Sequence, residues 1–246
     1  MKLFEFAYCG NYNSKISALS RLSPEQWSFR DKKDNGILKN YIEHTFRRVH
    51  HENKIIIKED HAIFNTGLFD MYYKSIYAYF VKNKAPGSQK WYLNGFLTEY
   101  QLTTMGITDI PERASYFDNP EDLVFDTRLK IVPQYDHIFG DENNLKRLPE
   151  AIRINTMKVQ LFDGAIETTK RMLDSNYKIA VPQFYNEKMQ LLVPICLQNP
   201  NVPDLALTCM KTDDKTKYIS STCLTLEMAY NNARLIAKPE SNWLKA

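Results

Sequence analysis

At 246 residues the chain has room for one large domain or two small ones. Its 43% hydrophobic and 25% charged residues are the balance of an ordinary globular protein, not of a disordered chain. Net charge is +3, which permits a nucleic-acid or nucleotide partner without requiring one. Only eight glycines are present, with no GxGxxG or GxxxxGK(S/T), which weighs against a glycine-rich phosphate loop.

Taken in order, residues 1–22 lack a clean period, and MKLFEFAY reads as a first strand. Residues 1–26 have the character of an N-terminal extension to a single domain spanning 1–246. Ser23-Pro24-Glu25-Gln26-Trp27 carries a helix-start signal, with Ser as N-cap, Pro at the first helical position and Gln closing a capping box. In the helix that follows DKKDNG, Ile37, Leu38, Tyr41, Ile42, Thr45, Phe46 and Val49 hold one face at helical spacing. His44, Arg47 and His51 share the other, with Arg48 at its edge. That basic stripe suits a helix C-terminus and also suits phosphates.

The texture then turns to strands. KIIIK, AIFNTGLF, SIYAYFV and WYLNGFL follow one another, the last two split by the breaker KNKAPGSQK. Short separations favour hairpins and a largely antiparallel sheet. Asn65-Thr66-Gly67 interrupts a strand pattern. The bland reading is a β-bulge; the functional one has Gly67 admitting a ligand to the backbone while Asn65 and Thr66 bind it.

Residues 102–155 are loop-rich. PERASYF reads as a short helix. IVPQYDHIFGDENNLKRLP reads as a long surface loop, not a core element. It offers His137, beside Asp136, as a general acid or base near neutral pH, and Arg147 as a bidentate phosphate holder. Asp136, His137, Asp141 and Glu142 fit neither a zinc nor a calcium pattern, so no metal site is expected. From Lys158 an amphipathic helix leads to the strands KIAVPQF, MQLLVPICL, PDLALTCMK and YIS.

The chain closes on LTLEMAYNNARLIAKPESNWL, a helix with a proline stop and an aromatic anchor. Leu224, Met228, Ala229, Ala233, Leu235 and Ile236 form its apolar arc; Glu227, Asn231, Arg234 and Lys238 lie opposite. Thr225 and Asn232 fall inside the apolar arc. A buried amide without partners costs roughly 1–3 kcal/mol, so Asn232 either pins a neighbouring segment or faces a ligand.

This order predicts an α+β fold, with a largely antiparallel sheet or sheets of about seven or eight strands and helices against them. Cys9, Cys196, Cys209 and Cys223 show no CxxC spacing. With no secretory signal and no apolar run near 18 residues, they read as reduced thiols in a cytoplasmic protein.

FNTGLFD with IYAYF after it, the DHI…RLP loop and the closing LTLEMAYNNARLIAKPESNWL resemble an uncharacterised, mainly bacterial family, domain of unknown function 3825. The resemblance runs from about Trp27 to Leu244. Such domains stand beside RNA-related modules of the cold-shock or LOTUS type, which implies a nucleic-acid context by association. It implies no catalytic residues.

The expectation is an RNA- or nucleotide-binding domain, or an enzyme acting on a phosphate-containing ligand. Asn65, Thr66, Gly67, His137, Arg147, Asn232 and Arg234 would converge on one cleft. His137 would supply the acid or base, and Arg147 and Arg234 would hold phosphate. The alternatives are a non-catalytic protein or RNA interaction module using the His44–Arg47–His51 stripe, and a structural or regulatory protein with no small ligand. Nothing in the sequence names a cofactor, a reaction or an oligomeric state.

Overall fold

The computed structural model describes residues 1–85, 87, 89–117 and 119–246. The KNKAPGSQK breaker falls partly outside them, at residues 86 and 88. The fold is α+β, and the chain divides into two compact units, Met1–Ser115 and Tyr116–Ala246. The helices are α1 (Leu3–Phe6), α2 (Tyr12–Leu22), α3 (Gly36–His51), α4 (Glu99–Thr104), α5 (Tyr135–Gly140), α6 (Glu142–Leu145), α7 (Glu150–Arg153), α8 (Lys158–Ser175) and α9 (Leu226–Arg234).

The first unit carries β1 (Ala7–Tyr8), β2 (Ile56–Ile57), β3 (His61–Phe69), β4 (Ser75–Lys82) and β5 (Trp91–Thr98) in the order β1-β5-β4-β3-β2. Its hairpins are antiparallel, as expected from their short turns. β1 pairs parallel with β5. All seven apolar-face residues of α3 are buried. Their phenylalanine joins a ring cluster, with Phe46 5.6 Å from Phe64 and 5.2 Å from Phe6 between ring centroids. A second cluster of Ile63, Tyr77, Tyr79 and Leu102 packs with Ile107 and Ile110.

The N-terminal residues differ from the expectation. MKLFEFAY forms one helical turn and a two-residue strand, not a full strand. Ser23 ends α2 where a helix start was read. Its carbonyl accepts the Trp27 indole N–H at 2.7 Å, so Ser23 closes a local turn instead of capping a helix. Leu3, Phe6, Ile16 and Leu19 are buried and belong to the first unit's core.

The second unit carries β6 (Lys130–Pro133), β7 (Val181–Tyr185), β8 (Lys188–Ile195), β9 (Leu205–Lys211), β10 (Lys217–Ser220) and β11 (Cys223–Leu224). The path is β6-β10-β9-β8-β7, with β11 paired to β9. The described residues therefore form two mixed sheets, of five and six strands, where a largely antiparallel sheet or sheets of about seven or eight strands were expected. Two-residue strands and the parallel β6–β10 pair are too short, or too distant in sequence, to leave a period.

Two more expectations are corrected. Residues 111–117 have no helix. The supposed long loop instead folds as β6, α5 and α6, and buries Ile138 and Leu148 in the core with α8 and the strands. No helix among the described residues is long and apolar enough to cross a membrane.

Candidate functional site

Asn65, Thr66, Gly67, Arg147 and Asn232 of the expected site are each held by specific partners. In the first unit Gly67 N–H donates to Asn65 Oδ1 at 2.9 Å, and Asn65 Nδ2 donates to the Pro111 carbonyl at 3.3 Å. Thr66 Oγ1 donates to the Ile76 carbonyl at 2.6 Å and accepts Leu68 N–H. The register of β3 against β4 shifts between Asn65 and Phe69, as a bulge does.

In the second unit His137 lies on α5 with an exposed ring. Its carbonyl accepts Asn144 Nδ2 at 3.0 Å. Arg147 donates to Asn144 Oδ1 at 2.9 Å and to the Cys223 carbonyl at 2.8 Å, so its guanidinium ties α6 to β11. Thr225, one of the two misplaced polar residues, is the N-cap of α9 and accepts Met228 N–H. Asn232, the other, donates to Gln183 Oε1 at 3.1 Å, and Gln183 passes the chain on to Gln190 at 2.9 Å. Arg234, expected on the exposed stripe, is 5% exposed at the last position of α9, where Ala233 and Ile236 beside it are buried too. Among the described residues no hydrogen bond joins His137 to Asn232 or Arg147 to Asn232.

The basic stripe of α3 divides, with Arg47 and His51 exposed and His44 and Arg48 partly covered. Arg48 and Lys54 both pair with Glu52, and Lys54 also reaches Ser115. Burial, aided by Arg47 and Arg48, lowers the His44 imidazole to about 4.

A cleft of about 360 Å³ opens at the turn end of the second sheet. The β7–β8 hairpin lines it with Phe184, Glu187, Lys188 and Met189, and the β9–β10 hairpin with Met210, Lys211, Thr212, Asp213 and Lys215. Asn186 and Glu187 both have positive φ, the backbone of a two-residue hairpin turn, which fixes that wall. Tyr116, Asn119 and Asp122 close the third side.

The Tyr116 and Phe184 rings meet edge to face, centroids 5.4 Å apart. Lys188 pairs with Asp213 at 3.1 Å, and Lys215 approaches Glu121 at 3.8 Å. The Lys211 ammonium lies 5.8 Å from the Tyr218 ring centroid. Arg128, foremost, holds the Asp126 carboxyl down to about 2, and Lys211 acts in the same direction. Burial pushes the Tyr218 phenol up to about 12. Rings beside ammonium groups can stack on a planar ligand and hold an anion.

Sequence reasoning did not reach this cleft. The available signal was Lys211, which continues the alternation Leu205, Leu207, Cys209 and so puts a charge on a core face. Nothing local joins it to Tyr116 or Phe184.

The model of a domain of unknown function, DUF3825, matches residues 19–243. The chain belongs to this family. That match spans both units, so the DUF3825 pattern covers the bulge at Asn65, the α5–α6 segment and the cleft alike. No curated protein and no solved structure matches the chain. Among the described residues of this DUF3825 chain, no group of three or more His, Cys, Asp or Glu side chains is placed to hold a metal ion.

Proposed function

We propose that this DUF3825 chain is an RNA- or nucleotide-binding protein, and that the cleft at the turn end of the second sheet receives the ligand. One observation carries the reading. Two aromatic rings, Tyr116 and Phe184, share a cleft of about 360 Å³ with the side chains of Lys188, Lys211 and Lys215. That size falls within the roughly 300–1,000 Å³ of small-molecule sites. A base against the rings and a phosphate near the lysines uses both kinds of surface. The claim concerns binding and names no reaction.

A thermal-shift series on the full chain tests it, with nucleoside monophosphates, nucleoside triphosphates and short single-stranded RNAs. A ligand present at about 100 times its Kd stabilises the folded state by about 2.7 kcal/mol. The expected result is a rise in Tm that weakens as salt is raised and is lost in Phe184→Ala. Unchanged melting with every nucleotide and RNA contradicts the proposal.

A further inference from the structure

We infer that Lys211 is the residue that holds the ligand's phosphate, and that the ligand is a single nucleotide carrying one phosphate group. The inference rests on the reading of the cleft as a nucleotide site.

The strand geometry singles out Lys211. Residues two apart on a strand share a face, so Leu205, Leu207, Cys209 and Lys211 point the same way. The first three are core residues of the second unit. Lys211 is the next step along that face, where the core gives way to the cleft. Register places it opposite Tyr218, whose ring is 1% exposed and stacks on Phe125 at 4.3 Å. Phe184 is likewise opposite Met189, so an apolar pair forms the floor beside the ammonium.

Ion pairing separates the three lysines. Lys188 and Lys215 each face a carboxylate, Asp213 and Glu121. Among the described residues no carboxylate pairs with Lys211 within 4 Å, and its ammonium lies over the Tyr218 ring. Lys211 acts on the Asp126 carboxyl only at longer range, and Arg128 already pairs with that carboxyl, so an incoming phosphate breaks no ion pair at Lys211. The acidic residues set the limit on charge. Asp122, Glu187 and Asp213 stand in the same lining as the three lysines. A phosphate monoester carries about −1.5 to −2 at neutral pH, of which the Lys211 ammonium offsets about one unit. Further phosphates would sit against those carboxylates. The volume agrees: about 360 Å³ is at the lower end of ligand sites, which suits one nucleotide and not a strand.

The test is calorimetric titration of the full chain with the four ribonucleoside 5′-monophosphates, their parent nucleosides and the matching triphosphates. Wild type is compared with Lys211→Gln, Lys211→Arg and Lys188→Gln. For the base that binds tightest, Lys211→Gln should weaken the monophosphate by about tenfold or more, the effect of one charge-assisted hydrogen bond. The nucleoside should change by less than about twofold. Lys211→Arg should restore most of the loss, which separates a charge effect from misfolding. Lys188→Gln should cost the monophosphate less than Lys211→Gln does, and the triphosphate should bind wild type more weakly than the monophosphate. Monophosphate binding that survives Lys211→Gln, an equal loss for the nucleoside, or tighter binding of the triphosphate overturns this inference alone. No binding of any monophosphate or nucleoside to wild type overturns the reading of the cleft, and this inference with it.

Discussion

The Tyr41 hydroxyl fills the space that a side chain on residue 67 would need. A Cβ built on Gly67 would lie 2.7 Å from that oxygen, which donates to the neighbouring Thr66 carbonyl at 2.8 Å. Gly67 also has φ +73, a left-handed backbone that L side chains rarely adopt. The glycine therefore lets helix α3 dock on strand β3.

Gly67→Ala should destabilise the first unit by at least about 1–3 kcal/mol, from backbone strain alone. Displacing Tyr41 adds to this. Gly67→Ala combined with Tyr41→Phe should cost less than the sum of the single changes, because the clash partner is gone. Urea unfolding of the three variants measures it.

Asn232, Gln183 and Gln190 form a chain of side-chain amides linking α9, β7 and β8, and Gln183 is buried. Removing one member leaves a neighbour unsatisfied. Asn232→Ala should cost roughly 1–3 kcal/mol, more than Asn231→Ala. Asn231 donates within its own helix, to the Glu227 carbonyl. Equal effects in thermal melts would deny the chain that role.

Arg147 and His137 lie close in sequence but should behave oppositely. Arg147→Met removes the donors that reach Asn144 Oδ1 and the Cys223 carbonyl, and should destabilise by roughly 1–3 kcal/mol. His137→Ala, whose ring is exposed, should stay within about 0.5 kcal/mol of wild type. Denaturant midpoints for the pair decide the matter.

His44 gives the first unit a pH dependence. Burial lowers its folded pKa from 6.5 to about 4, with Arg47 and Arg48 adding to the shift. Between those values the unfolded chain binds a proton that the folded chain refuses. The stability is fully present above pH 6.5 and is lost as pH falls towards 4. His44→Gln should flatten the change in Tm across that window. A slope unchanged in the variant would assign the acid sensitivity to other groups.

Much of the fold was legible where an element is long enough to show its period. The sixteen residues of α3 turn its face more than four times, and every apolar position read there is buried. The strands β3, β4 and β5 showed themselves by β-branched and aromatic runs. The shorter elements did not. Helices α5 and α6 have six and four residues, too few for an amphipathic pattern, so their polar residues looked like a loop. The β6–β10 pair joins Lys130 to Lys217, a contact no local rule reveals. The closing helix misled for a related reason. A wheel through Lys238 runs past the end of α9 at Arg234, and Arg234, on its polar stripe, is buried at that end.

The cleft was illegible because it gathers strand ends and turns from separate parts of the chain. Phe184 and Lys211 stand at the ends of β7 and β9, and Tyr116 comes from a segment without regular structure. In sequence, each looks like an ordinary strand-end or loop residue.

The most direct measurement of the central claim is an amide chemical-shift titration of the full chain with a nucleoside monophosphate. The account predicts saturable shifts concentrated at residues 184–189 and 210–215, with Tyr116 and Asn119 moving alongside them. Shifts centred elsewhere, or none at millimolar nucleotide, would contradict it.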